Sequence, residues 1–92
     1  MVLDFWATWC GPCVAIGPTV EEVAQDYKGR VIVGKVNVDE QPELAEKFDI
    51  ESIPALFFLG SDGEEVNRSV GIPANTDAKQ FLSEQIEDLL AE

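Results

Sequence analysis

The only two cysteines of the chain, Cys10 and Cys13, lie three positions apart in Trp9-Cys10-Gly11-Pro12-Cys13. Two thiols at that spacing can reduce a disulfide: one thiolate attacks to form a mixed disulfide, and the other resolves it. The pair occupies the longest uncharged stretch, since no Asp, Glu, Lys or Arg falls between Phe5 and Val20. Upstream, Val2–Ala7 is a short, mostly apolar run of the length of a buried strand. Downstream, Ile16, Val20, Val23, Ala24 and Tyr27 recur at helical spacing, which predicts a helix over Pro12–Tyr27 with one apolar stripe. The cysteines therefore stand where a strand turns into a helix. The free N–H groups and dipole at a helix start favour negative charge, so a thiol there ionises more easily. Cys10 at the helix mouth is expected to be the exposed nucleophile. Cys13, three residues before Ile16 and seven before Val20, belongs to the core-facing stripe and is expected to resolve the mixed disulfide. Gly11 permits close backbone approach, and Pro12 sits near the first helical position, where its missing N–H does least harm.

Blander chemistries fit less well. Structural zinc usually takes four Cys or His ligands, and the chain has two Cys and no His. A purely structural disulfide closing so small a loop would remove little entropy from the unfolded chain. Two inert core thiols are the ordinary reading of isolated cysteines, but Cys-x-x-Cys at a strand-to-helix junction favours redox chemistry.

Asp4-Phe5-Trp6-Ala7-Thr8-Trp9-Cys10-Gly11-Pro12-Cys13 resembles the active-site segment of the thioredoxin family. Val33-Gly34-Lys35-Val36-Asn37-Val38-Asp39, Ile50-Glu51-Ser52-Ile53-Pro54-Ala55 and Val70-Gly71 resemble later motifs of that family in the right order. The likeness covers essentially the whole chain. It departs at Val14, where the family often carries Lys, and at Ala55, where Thr is common.

With 92 residues there is room for one small domain and one core, so residues 1–92 are expected to form a single thioredoxin-like domain. A composition of 46% hydrophobic and 26% charged residues is that of a folded domain. Six basic against eighteen acidic residues give a net charge of −12, which repels nucleic acid and anionic membrane. Phe5–Val20, Ser52–Ser61 and Val66–Thr76 carry only Arg68 between them, and their convergence would make a neutral face on an acidic body. No apolar run approaches a membrane span, and Met1 is followed at once by strand-like sequence rather than a leader pattern. A cytoplasmic setting is the expectation, in which a Cys pair is more often catalytic than structural.

Along the rest of the chain, Pro18 predicts a kink in the first helix, and Lys28-Gly29-Arg30 ends it. Val31–Val38 reads as a β-branched strand and Pro42–Phe48 as a short helix. Ala55–Leu59 and Glu64–Val70 read as strands of a hairpin through Gly60-Ser61-Asp62-Gly63. A last helix over Asp77–Ala91 is expected to be capped by Asn75 or Thr76. These elements predict an α/β fold, a thioredoxin-like three-layer sandwich with a four-stranded mixed sheet and three helices. By the resemblance, another strand and helix would precede the segment that starts at Met1, so the chain is expected to be either a naturally short member or a truncated one.

Asp4 lies among apolar neighbours, and burial of a lone carboxylate should raise its pKa. The resemblance implies that Asp4 is the buried acid exchanging protons with Cys13, with Lys35 as its neighbouring lysine. An Ile53-Pro54 bond is ordinarily trans, whereas the resemblance implies a cis proline packed against the disulfide. It further implies a substrate face of Trp9, Gly11, Pro12, Ile53, Pro54, Gly71 and Ile72, with Trp6 as packing beside it. The function implied is protein-disulfide reduction without a bound cofactor, electrons arriving from NADPH through a flavin-dependent thioredoxin reductase. The partners implied are that reductase and protein disulfide substrates. A non-catalytic binding module and a secretory oxidant or isomerase are the competing classes. If Asp4 and Lys35 face the long helix, alternation sends Leu3, Phe5, Ile32, Val36 and Val38 to a face covered only by the short helix. A weak homodimer through Val31–Val38 is expected from that edge.

Overall fold

The computed structural model describes residues 1–73 and 75–91. In order they form β1 (Val2–Trp6), α1 (Gly11–Asp26), β2 (Val33–Asn37), α2 (Pro42–Lys47), β3 (Ala55–Leu59), β4 (Glu65–Val70) and α3 (Ala78–Leu90). The strands lie in the order β2-β1-β3-β4, with β1 parallel to β2 and antiparallel to β3, and β3 antiparallel to β4. β3 is Ala-Leu-Phe-Phe-Leu, and every residue of it is buried. A run apolar at every position fits a strand covered on both faces.

Alternation along the strands divides the interior. Val2, Leu56 and Phe58 turn toward α1 and α3, where they pack with Val20, Val23, Tyr27, Leu82 and Ile86. Phe5, Val36, Ala55, Phe57 and Leu59 turn the other way, against Leu44, Phe48 and Ile50. The cysteines join a third cluster with Ala7 at the end of β1, bordered by Trp6, Val38 and Ile53.

Several expectations change in detail. The second strand starts at Val33, because the Val31 N–H is taken by Tyr27 O of the helix exit at 3.0 Å and Val31 belongs to the first core. It ends at Asn37, although the Val38 N–H still reaches Trp6 O at 2.9 Å. α3 is capped by Asp77, whose carboxylate accepts the Gln80 N–H at 3.0 Å, and Asn75 instead takes a positive φ of 62°. Pro18 lies inside α1, whose helical assignment continues to Asp26.

The face opposite α1 is better closed than alternation alone suggested. Leu3, Phe5, Val36 and Val38 do point there. Phe5, Phe48 and Phe57 form a ring triad with centroids 5.1–5.5 Å apart, and the Arg68 guanidinium lies 4.8 Å from the Phe57 centroid. Tilted and edge-on ring pairs at such distances are attractive beyond their buried area. Arg68 also makes a two-pronged bond to Glu65, at 2.7 and 2.8 Å, which holds the guanidinium over the ring. Ile32, 67% exposed, and Val70, 65% exposed, remain uncovered.

Candidate active site

β1 delivers the chain to Ala7, and Thr8-Trp9 turns it into α1. Within that turn the Cys10 N–H donates to Ala7 O at 3.2 Å. Cys10 is the N-cap of α1, with extended φ −92° and ψ 104°. Its Sγ accepts the Cys13 N–H at 3.2 Å, and its carbonyl accepts the Val14 N–H at 3.0 Å. A sulfur thus occupies the place where a Ser or Asp oxygen usually caps a helix. Pro12 falls within the first two helical positions, so its lack of an N–H breaks no helical bond.

Cys10 and Cys13 are joined as a disulfide, with Cα atoms 5.3 Å apart. Both are buried, at 6% and 2% exposure, so the expectation of an exposed Cys10 is not met in the oxidised state. Ala7, Trp6, Val38 and Ile53 pack about the pair, and burial alone does not separate the two sulfurs. Their difference lies in the cap: Cys10 Sγ receives a backbone N–H, while Cys13 lies one turn inside the helix.

The Ile53-Pro54 peptide is cis. Ile53 O lies 3.9 Å from Cys10 Sγ, and Pro54 O accepts the Gly71 N–H at 2.7 Å. Gly71 has a φ of 77°, a conformation costly for residues with a Cβ. Backbone bonds thus carry Ile53, Pro54 and Gly71 to the cysteine pair. Trp9, Gly11 and Pro12 are exposed beside it, whereas Pro54 is buried and Ile72 is half-buried against the α1/α3 core.

Asp4 is 1% exposed, and neither carboxylate oxygen has a hydrogen-bond partner among the described residues. It lies on the sheet face covered by α1, in register with Leu56 on one side and Lys35 on the other. Burial raises its pKa from the usual 3.8 to about 6, with the positive charge of Lys35 acting weakly the other way. Lys35 does not bond to Asp4. Its ammonium lies 4.8 Å from the Trp6 centroid and 3.9 Å from Glu21. The expected pair is therefore coupled through space and not by contact.

Asp39 was not singled out from the sequence beyond its place in a motif. Its carboxylate accepts the Trp9 indole N–H at 2.8 Å across 30 residues. The available signal was local: Asn37, two residues earlier, accepts the Asp39 N–H at 2.9 Å, the side-chain-to-backbone turn that Asn favours.

An α/β sandwich with a Cys-x-x-Cys pair at a helix N-cap defines a thiol–disulfide oxidoreductase. The sequence profile of the family described as Thioredoxin matches residues 1–84. A thioredoxin of Staphylococcus saprophyticus is 48% identical over 86 residues, covering 94% of this chain and 78% of its own. Thioredoxin 2 of Chlorobaculum tepidum is 46% identical over 81 residues, 87% of this chain and 73% of its own. A thioredoxin of Chlorobaculum thiosulfatiphilum is 44% identical over 82 residues, 88% and 75% of the two chains. The chain belongs to the thioredoxin family. Thioredoxins are thiol–disulfide oxidoreductases that need no bound cofactor, and the Cys10–Cys13 pair supports a role in protein-disulfide reduction. Among the described residues, no helix is long and apolar enough to cross a membrane.

The burial of Asp4 has a pH signature. Asp4 is protonated in both folded and unfolded chains well below pH 3.8 and ionised in both well above about 6, so its burial costs stability only as pH rises through that window. The displacement from 3.8 to about 6 corresponds to ~3 kcal/mol. In the oxidised protein, Asp4→Asn keeps the volume and removes the charge. Denaturant titrations should therefore show it more stable than the parent by about 2–3 kcal/mol near pH 8, the gap closing below about pH 4. A gap independent of pH would show that Asp4 is not a buried titrating acid.

Proposed function

We propose that the reduced protein reduces protein disulfides through an ordered pair of sulfurs. The Cys10 thiolate attacks one substrate sulfur, forming the Cys10–substrate bond as the substrate S–S bond breaks and its other sulfur leaves as a thiolate that takes a proton. Cys13 then gives its proton to the Asp4 carboxylate and attacks Cys10 Sγ, closing the Cys10–Cys13 disulfide as the mixed disulfide breaks and the second substrate sulfur leaves as a thiolate that takes a proton from water. Two electrons pass from the Cys pair to the substrate, and the step balances without a metal or cofactor. The observation that supports this order is the N-cap: the Cys13 N–H aimed at Cys10 Sγ at 3.2 Å stabilises negative charge on Cys10 alone.

In this reading Lys35 tunes Asp4 through space. Trp9, Gly11 and Pro12 bear on the bound substrate, together with Ile53, Pro54, Gly71 and Ile72. Ile53 and Pro54 offer backbone beside the sulfurs. Reduction of the resulting disulfide is assigned to a flavin-dependent thioredoxin reductase using NADPH. Residues 1–92 act as one domain, in the cytoplasm. In a coupled assay with thioredoxin reductase, NADPH and insulin, Cys10→Ser should abolish turnover. Cys13→Ser should also stop turnover but accumulate a dithiothreitol-sensitive adduct through Cys10, detectable by mass spectrometry. An adduct in Cys10→Ser and none in Cys13→Ser would reverse the assignment.

We also place a weak self-association at β2. That strand is an edge of the sheet and leads out of the exposed Ile32, a combination that invites pairing with a second copy. The net charge of −12 opposes it, so salt should favour it. Light scattering should show a mass that rises with concentration at high salt and no longer does so in Ile32→Lys; a concentration-independent monomer at high salt would contradict the pairing.

A further inference from the structure

Lys35 stands opposite Asp4 in the β1–β2 register, and side chains at one register position share a face of the sheet. Neighbouring strands lie about 4.8 Å apart, so a lysine could close directly on that carboxylate. It does not: among the described residues neither Asp4 oxygen has a hydrogen-bond partner. The ammonium is held elsewhere. It lies 4.8 Å from the Trp6 ring centroid, 3.9 Å from Glu21 Oε1 and 3.7 Å from the point where a Gly17 side chain would begin. Gly17 and Glu21 are four residues apart in α1, which puts them a turn apart on one face of the helix. The cation therefore runs along α1, against an aromatic ring and with a carboxylate at its end.

An ion pair with a glutamate whose side chain is 71% exposed contributes little to stability. What it decides is where the ammonium rests, because the competing position is beside an unpaired buried carboxylate. Other charges near the pair lie elsewhere or are already engaged. β1, β2 and β3 carry none besides Asp4 and Lys35. Glu22 and Asp26 of α1 both close on Lys79 of α3, at 2.7 and 3.4 Å. Among the described residues, Glu21 is thus the one α1 carboxylate that reaches Lys35.

We infer that Glu21 is a positioning residue for the resolving half of disulfide exchange: it draws the Lys35 ammonium out along α1 and against Trp6, leaving Asp4 an unpaired carboxylate able to take the Cys13 proton. This rests on the reading of Asp4 as the acceptor of that proton. Glu21 acts through Lys35, from the surface of α1. With the Glu21 charge gone, the ammonium is free to settle on Asp4, an attraction that favours the ionised carboxylate and makes it a weaker base.

The test follows the Asp4 titration directly. In the oxidised protein, the carboxyl-carbon NMR resonance that disappears in Asp4→Asn should titrate about 1 pH unit lower in Glu21→Gln than in the parent, the smaller end of what an opposite charge at close range does. Glu21 is exposed, so its substitution leaves the core intact. Glu22→Gln removes the same charge one residue away, and there the midpoint should stay. In a Lys35→Met background, Glu21→Gln should move it no further. Stopped-flow reduction of dithiobis(nitrobenzoate) releases one coloured thiolate on attack by Cys10 and a second on resolution by Cys13, so the two phases report the two cysteines. Glu21→Gln should leave the first phase within about twofold of the parent. It should move the acid limb of the second phase down by about 1 pH unit and slow its plateau severalfold, less than the roughly tenfold that a base weakened by that much can lose. An unmoved Asp4 midpoint in Glu21→Gln, an equal shift in the Lys35→Met background, the same shift in Glu22→Gln or an unaltered second phase would each overturn the inference. A second phase as fast in Asp4→Asn as in the parent would instead overturn the reading of Asp4 as acceptor, and the Asp4 midpoint would still decide whether Glu21 holds Lys35.

Discussion

One hydrogen bond distinguishes the two sulfurs of this chain: the Cys13 N–H to Cys10 Sγ at the N-cap of α1. Both sulfurs are buried in the disulfide, and both border the same small apolar cluster. Without the cap they would be near equivalents. With it, Cys10 lies where α1 presents unpaired donors and the positive end of its dipole, and Cys13 lies where neither acts on its sulfur. A Cys at N-cap and another three residues later is what places the second residue's N–H against the first residue's side chain, so the Cys-x-x-Cys spacing and the asymmetry are one geometric fact.

The sheet supplies what that cap requires. β1, between two strands and buried on both faces, ends at the cysteine turn and gives it a rigid base. The same strand carries Asp4 under α1, a carboxylate without a hydrogen-bond partner among the described residues and with a pKa pushed to about 6. Burying such a group lowers stability, and its persistence is intelligible if it moves a proton for the resolving thiol. The apolar faces on either side, Leu56 and Phe58 toward α1 and the Phe5–Phe48–Phe57 triad toward α2, work against that cost.

Much of this was legible in residue types and periodicity. The strand-to-helix junction, the core stripe holding Cys13, the order of elements and the lone buried Asp4 followed from apolar spacing and from the cost of burying charge. The cis state of Ile53-Pro54 did not, because X–Pro bonds are usually trans, and only the family resemblance pointed to it. The burial of Cys10 escaped because helix position says nothing about what Trp6 and Ile53 fold over it. The closure of the α2 face depended on Arg68 lying over Phe57, a contact between exposed-looking and core-looking residues that no alternation rule contains. Asp39 escaped for a similar reason, as its partner is 30 residues away.

The central claim is that the helix cap, and not a difference in burial, separates the two sulfurs. It is tested most directly by alkylating the reduced protein with iodoacetamide across pH and quantifying each cysteine by mass spectrometry. The cap predicts that Cys10 reacts with an apparent pKa clearly below the ~8.5 of a free thiol, while Cys13 reacts much more slowly at neutral pH. Faster alkylation of Cys13 at neutral pH, or a Cys10 titrating like a free thiol, would contradict it.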